Sequence, residues 1–473
     1  MSRRTVSGSA RRRKQLATSP STGLGDTERP SERPELRVEK MAPPGVGMAR
    51  WPDGRPVFVQ GAFPGDVVIP QDYAEKRSHL IVRKFALQEK SSARRDSPCP
   101  VSETCGGCDF IGISERHQQE QKQAIVLHAL ERTAKLRPPQ PVLFHASPRS
   151  LGYRRRARLH MRDGRLGYCR KSSHELVEFA HCLVCSPRLN RVIDRLRGVL
   201  AQHSSAFRCV GAVEARAFGD DGALCAEDCS LFLQLRPQAS KAQISRLEAA
   251  LLPLENEMAC WWGKGIAPLQ QFSLGRGTGL FAPVGGFVQV NARVNEQLVA
   301  HVVALAERIS AKNFVDVFCG NGNFSIPLLE AGLSGCGVEL NPDSLRALKQ
   351  AQKRGGFSRL EGAWLEERAE TFLGSEQVSA KSWDLVVLDP PRSGCKEAMS
   401  ALLALSPGHV ILVGCDAVTL ARDLRLLIDG PAKGAEPSSG ASPPTYRLLD
   451  VQIFDMFPQT HHVETVALLQ RST

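Results

Sequence analysis

From Phe287 to the C-terminus, short runs of consecutive apolar residues alternate with stretches of helical periodicity. A strand that is apolar at every position needs cover on both faces. That restricts this region to an α/β layer architecture with a mostly parallel, doubly wound sheet. Strands are expected at residues 313–318, 336–339, 383–388 and 410–414, and an amphipathic helix at 294–309. Two further strands, 448–454 and 464–469, are separated by too little chain for a crossover helix, so they should pair as an antiparallel hairpin at the sheet edge. A Gly-, Ala-, Ser- and Pro-rich insert at 430–444 reads as a mobile loop before that hairpin.

The texture upstream is different. Short β-like runs at 57–59, 66–69 and 80–82 are broken by Gly45-Val46-Gly47, Asp53-Gly54 and Pro64-Gly65, which suggests a small barrel over 35–90. Residues 91–275 read as a mixed α+β region. It holds a polar helix at 113–136, a basic strand carrying Arg154, Arg155, Arg156 and Arg158, and a helix at 189–200. Residues 1–34 hold eight Lys or Arg against three acids and lack apolar periodicity, so they are expected to be a disordered basic tail.

Composition narrows the functional classes. With 42% hydrophobic and 23% charged residues, the chain as a whole is globular rather than disordered. No run approaches the roughly 18 apolar residues of a membrane span, and no apolar segment follows the basic N-terminus as a secretory signal would require. A cytoplasmic, reducing setting is expected, so the 14 cysteines are read first as metal or catalytic groups. The net charge of +12 favours a polyanionic partner, of which RNA is one.

Two loops at strand ends carry cofactor chemistry. The first strand runs into Phe318-Cys319-Gly320-Asn321-Gly322-Asn323-Phe324, where two glycines allow a tight turn close to a ligand. The second ends in Glu339, about twenty residues on, where a carboxylate can accept both hydroxyls of a ribose. The loop lacks the full Gly-x-Gly-x-x-Gly pattern, so a nucleoside without a pyrophosphate, such as S-adenosylmethionine, suits it better. Asp389-Pro390-Pro391-Arg392 forms a rigid turn at the third strand end, with Arg392 where enzymes that methylate exocyclic amines carry an aromatic residue. The fourth delivers Cys415 to the same edge, ahead of a helix N-terminus expected to lower its pKa. Glu464 is a candidate base, with His461 and His462 as competitors.

A cysteine cluster stands apart from these loops. Cys99, Cys105 and Cys108 are spaced C-x5-C-x2-C, a spacing that lets thiolates on one loop converge on a metal centre. Spacing alone leaves zinc and iron–sulfur both open. Cys225 and Cys229 form a weaker candidate pair.

Taken together, residues 36–469 resemble the RNA (uracil-5-)-methyltransferase family, in particular its iron–sulfur-containing 23S ribosomal RNA branch. The resemblance is carried by Phe287-Val288-Gln289-Val290-Asn291, the Phe318–Phe324 loop, Asp389-Pro390-Pro391-Arg392, Cys415 followed by Thr419-Leu420-Ala421-Arg422-Asp423, and His462-Val463-Glu464-Thr465. The chain departs from the family's pattern at Gly414-Cys415-Asp416-Ala417, where Ser-Cys-Asn-Pro is usual. It departs again at Arg354-Gly355-Gly356, which stands where an Asn-rich stretch is expected.

The resemblance implies a Rossmann-like S-adenosylmethionine-dependent methyltransferase domain over 276–473. It also implies an OB-like TRAM barrel over 35–90 and a central α+β domain over 91–275 that carries a [4Fe-4S] cluster. Gln289, Phe318, Asn323, Glu339 and Asp389 would contact S-adenosylmethionine. Cys415 would be the nucleophile that adds to carbon 6 of uracil, and Glu464 the base that removes the proton from carbon 5. The fourth cluster ligand would be Cys182, in the context of Pro187 and Asn190, with Cys185 as its rival. The expected partner is 23S ribosomal RNA and the expected state a monomer without membrane association. A transfer RNA substrate, or a non-catalytic iron–sulfur RNA-binding protein, is the alternative.

Overall fold

The structure is a computed structural model. It describes residues 33–472 except 44, 172, 220–221, 264, 276–278, 358–363 and 431–444. The expected basic tail therefore lies almost wholly outside the described residues, and the insert at 430–444 does so except for Gly430.

The C-terminal part is built on an eight-stranded sheet. Its order is Trp364–Glu366, Ser334–Glu339, Asn313–Val317, Leu385–Leu388, His409–Gly414, Glu464–Arg471, Tyr446–Phe454 and Leu143–His145. The first five strands are parallel, and Glu464–Arg471 runs antiparallel to both of its neighbours. The uninterrupted apolar runs have a direct cause. Phe314, Leu385, Val387, Ile411 and Val413 pack on one face, while Val315, Val317, Val386, Leu388, Val410 and Leu412 pack on the other. Strand side chains alternate sides, and here both sides are covered by helices.

The expected strands and the antiparallel hairpin are present, but the hairpin is not the sheet edge. Leu143–His145 pairs parallel with Tyr446–Phe454 beyond it. Helix Glu115–Ala129 continues as a wider π-type turn, Leu130–Ala134, and buries Val126, Ala129, Leu130 and Ala134 in the same core as Leu420, Leu424 and Leu427. Residues 115–145 therefore cover one face and one edge of this sheet. The sequence gives little warning, because three-residue strands such as Leu143–His145 and Trp364–Glu366 are too short to show periodicity.

Residues 36–89 form a six-stranded sheet whose two outer strands, Leu36–Arg37 and Lys40–Ala42, are halves of one extended segment. That segment joins both ends of the sheet, pairing with Val67–Val68 at one end and with Val46–Met48 at the other, and so closes it into a small barrel. Leu36, Val57, Val59, Val68, Leu80 and Val82 fill it.

Between barrel and C-terminal sheet, a second six-stranded sheet centres on Arg156–Arg162, Val210–Ala217 and Cys229–Leu235. Helix Pro187–Gln202 packs on it, capped by Ser186, whose hydroxyl accepts from Leu189 N at 3.1 Å. The basic strand exposes little of its charge. Arg155 is buried over the Phe218 and Phe272 rings, Arg156 is paired with Glu214 at 2.7 Å, and only Arg158 of the four is exposed. Among the described residues, no helix is long and apolar enough to cross a membrane.

Candidate active site

The parallel strands end together on one edge of the C-terminal sheet, the place where open α/β sheets bind ligands. Strand Asn313–Val317 runs into a loop in which Phe318, Gly320 and Gly322 all take positive φ. A Cβ on Gly322 would meet Ile326 at 2.9 Å and Leu348 at 3.1 Å, so this turn needs glycine for both its angle and its packing. Glu339 braces the same loop. Its Oε2 accepts from Gly320 N at 3.1 Å, and its Oε1 accepts from Asn341 N at 2.8 Å.

Gln289 is buried, and its carbonyl accepts from Arg155 Nε at 2.8 Å. The structural use of Arg155 is thus to hold the segment that carries Gln289. Asn323 is engaged on both ends of its amide by Asn295, at 2.8 and 3.1 Å. That reciprocal pair ties the glycine loop to helix Ala292–Arg308, so the Asn323 amide supports the loop.

Asp316 was not singled out from the sequence and belongs to this site. It is fully buried inside its strand, accepts from the Ser325 hydroxyl, and leaves Oδ1 without a partner. Burial pushes its carboxyl up to about 7, with Asp389 and Glu339 adding to the rise. The available signal was one acid among the apolar residues of Phe-Val-Asp-Val.

Strand Leu385–Leu388 delivers Asp389, whose carboxyl burial raises to about 7. Strand His409–Gly414 delivers Cys415, and Glu464 opens the neighbouring antiparallel strand, with Gly414 opposite Thr465. Glu464 is 4% exposed and its Oε2 has no hydrogen-bond partner. Burial, reinforced by Asp389, holds its carboxyl well above the usual range, while Arg392 opposes the rise.

The thiol does not have the lowered pKa expected from its place before a helix. Burial pushes Cys415 up to about 12, Glu464 and Asp389 add to this, and Arg392 opposes it. The helix N-terminus is already taken. Asp416 Oδ1 accepts from Val418 N at 3.1 Å and from Thr419 N at 2.9 Å. The acid beside the thiol is thus a helix cap.

Thr419-Leu-Ala-Arg422-Asp423 fastens the loop that presents Arg392. Thr419 Oγ1 donates to the Arg392 carbonyl at 3.2 Å, Arg422 Nη2 to the Ser393 carbonyl at 2.9 Å, and Asp423 Oδ2 accepts from Cys395 N at 2.9 Å. Arg392 and Cys415 line one cavity there. Of the competing histidines, His461 Nδ1 lies 2.5 Å from Asp109 Oδ2, and His462 is lowered to about 4 by burial, with His461 and Arg392 contributing.

The cysteine cluster lies elsewhere. Cys99, Cys105, Cys108 and Cys182 line one cavity together with Arg154 and Tyr168, and Cys185 is not among the lining residues. Tyr168 Oη is 3.8 Å from Cys182 Sγ and 3.6 Å from Cys185 Sγ. Among the described residues, no three His, Cys, Asp or Glu side chains are grouped closely enough to hold a metal ion.

A doubly wound sheet with a glycine turn, an acid at the second strand end and further acids converging on one edge defines a Rossmann-like methyltransferase. Comparison with known proteins narrows the class. Residues 281–472 match the family model described as tRNA (Uracil-5-)-methyltransferase. A 23S rRNA (uracil(1939)-C(5))-methyltransferase, RlmD, of Pectobacterium atrosepticum is 31% identical over 94% of this chain and 95% of its own length. The RlmD of Aeromonas hydrophila is also 31% identical, over 93% and 97%. The crystal structure of the Pyrococcus abyssi tRNA (uracil-54, C5)-methyltransferase, in complex with S-adenosyl-L-homocysteine, superposes with a TM-score of 0.66 at 19% identity. It covers 92% of this chain and 100% of that one, a likeness of fold. The chain belongs to the RNA (uracil-5-)-methyltransferase family, and it is an enzyme of that family.

Proposed function

We propose that the protein transfers a methyl group from S-adenosylmethionine to carbon 5 of a uridine in 23S ribosomal RNA, with Cys415 as nucleophile and Glu464 as base. The observation that carries this reading is the buried, unpartnered Oε2 of Glu464 on the strand beside Cys415. Leaving a polar atom in such a place costs about 1–3 kcal/mol, a cost a substrate proton would relieve. Ribosomal RNA is favoured over transfer RNA because the RlmD relatives match along nearly the whole chain. The transfer RNA enzyme of similar fold is 19% identical, against 31% for these relatives.

The residues divide the work as follows. The Cys415 thiol gives its proton to Asp389, which leaves Glu464 free, and its sulfur bonds to carbon 6. The electrons of the carbon 5–carbon 6 double bond move onto the ring as an enolate, which makes carbon 5 nucleophilic. Arg392 favours the thiolate by its charge. The cofactor supplies a methyl sulfonium, from which carbon 5 takes the methyl group. Glu464 then accepts the carbon 5 proton and later releases it to water, the double bond re-forms, and the expelled Cys415 sulfur takes its proton back from Asp389. Gln289, Phe318, Glu339 and Asp389 surround the cofactor, with Asn323 holding the loop.

The barrel is read as a TRAM-like RNA-binding module, and the four-thiol cavity as the seat of a [4Fe-4S] cluster. The donor set suits it. Arg154 lines the cavity and its buried Nε lacks a partner, as fits an anionic group in that space. Thiolates on one zinc ion would stand about 3.8 Å apart, given bonds of ~2.3 Å. A four-iron cluster spreads its ligands over separate irons, which agrees better with thiols that share a cavity without closing on one point. When bound, the cluster would supply a rigid cross-link between the Cys99–Cys108 loop and Cys182.

The test is methyl transfer from labelled cofactor to 23S RNA lacking the modification, followed by mapping. Labelled 5-methyluridine in that RNA is expected. Incorporation only into transfer RNA would reject the ribosomal assignment, and no incorporation into any RNA would reject the activity.

A further inference from the structure

Glu464 is the first residue of its strand, so no ladder precedes it, and its direction is set by the loop over residues 455–463. That loop is fastened from outside the C-terminal sheet. Asp109, the residue after Cys108, accepts from His461 at both ends. Its Oδ1 lies 3.2 Å from His461 N and its Oδ2 lies 2.5 Å from His461 Nδ1. A carboxylate only accepts, so the imidazole donates from Nδ1.

Around this contact, Phe110 N donates to the Gln459 carbonyl at 3.0 Å, and Gln118 Oε1 accepts from Gln459 N at 3.0 Å. Gln459 is fully buried with φ +69. Tyr153 Oη donates to the Pro458 carbonyl at 2.9 Å. The barrel closes the arrangement, since a Cβ on Gly45 would fall on Asp109 Oδ2 and within 2.6 Å of His461 Nδ1.

We infer that Asp109 is a positioning residue for the catalytic base: through His461 it fixes the path of the chain into Glu464, and so couples the cysteine loop to the proton-removal step. The inference rests on the reading of Glu464 as base. It also gives the cysteine loop a part in a methyl transfer that consumes no electrons. A base displaced by about 1 Å loses on the order of 100-fold in rate. The loss falls on the step after methyl transfer, so the methylated Cys415–RNA adduct should build up.

The experiment compares Asp109→Ala, Asp109→Asn and Glu464→Gln in the full-length protein purified without oxygen, at matched metal content. For Asp109→Ala, kcat should fall roughly 10- to 100-fold. KM for RNA and for cofactor should fall along with kcat, leaving kcat/KM within about twofold, because the slowed step follows methyl transfer. A gel-stable protein–RNA adduct should appear at steady state in proportion to the slowing. Asp109→Asn keeps the shape and one acceptor and should lie between Asp109→Ala and the unsubstituted protein; it serves alone if Asp109→Ala does not fold. Glu464→Gln is the reference. If it fails to trap adduct, the base assignment is wrong. If it traps adduct while the Asp109 variants turn over normally, or slow without adduct, the positioning role is wrong and the base assignment stands.

Discussion

Gly414 stands opposite Thr465 in the antiparallel ladder, and this register sets Cys415 and Glu464 on adjacent strands at one edge of the sheet. A slip of one residue would turn Glu464 to the opposite face and separate the proposed nucleophile from the proposed base. The same edge receives Asp389 from the strand on the other side of His409–Gly414.

Cofactor binding should depend on pH through Asp389. Its carboxyl is raised to about 7, so it is neutral below that pH and anionic above it. The anion attracts the sulfonium. Affinity for S-adenosylmethionine should therefore rise with pH between 6 and 8, approaching tenfold per unit below the midpoint for one linked proton. S-adenosylhomocysteine lacks the sulfonium charge and should show less dependence. Isothermal titration with both ligands, repeated with Asp389→Asn, checks this: the variant should lose most of the dependence, keeping only the part carried by Asp316, whose carboxyl is also raised to about 7.

The free enzyme's Cys415 should be sluggish toward alkylation at neutral pH, because burial and two carboxylates raise its pKa to about 12. Iodoacetamide labelling read by mass spectrometry should stay slow until strongly alkaline pH. Arg392→Met removes the opposing charge and should slow labelling further at every pH.

RNA affinity should separate the arginines of the central strand. Arg158 is exposed, so Arg158→Ala should weaken binding and reduce the salt slope by about one. Arg155 is buried and holds the Gln289 carbonyl, so Arg155→Met should lower the melting temperature and weaken cofactor binding instead. Filter binding across a salt series, with thermal melts alongside, distinguishes the two.

Much of this was legible in the sequence for physical reasons that also mark its limits. Strands buried on both faces announce themselves as apolar runs, so the sheet carrying Asp389 and Cys415 could be read directly. Glycines at positive φ and a strand-end acid marked the loop at Phe318–Phe324 and Glu339. What could not be read depends on contacts between residues far apart in sequence. Asp416 looks like a threat to the thiolate until its carboxylate is found on the helix cap. The arginines of residues 154–158 look like one basic stripe until Phe218, Phe272 and Glu214 are seen to cover two of them. Asp109 and His461 are 352 residues apart, and no local pattern links them.

The four-thiol cavity should hold iron and sulfide. Protein purified without oxygen should be brown, and Cys182→Ser should lose its metal. Cys185→Ser should keep it, since Cys185 does not line the cavity. Metal analysis that finds stoichiometric zinc without iron would overturn the cluster assignment.

The most direct test of the two-step chemistry is the fate of the covalent intermediate with Glu464→Gln. This variant keeps the thiol and the shape but cannot take the carbon 5 proton. Incubated with substrate RNA and S-adenosylmethionine, it should accumulate a methylated protein–RNA complex that survives denaturing electrophoresis. Cys415→Ala should form none, and His462→Ala, which removes a neutral imidazole, should not trap it. Fast multiple turnover by Glu464→Gln, with trapping by His462→Ala instead, would contradict the assignment and move the base to that histidine.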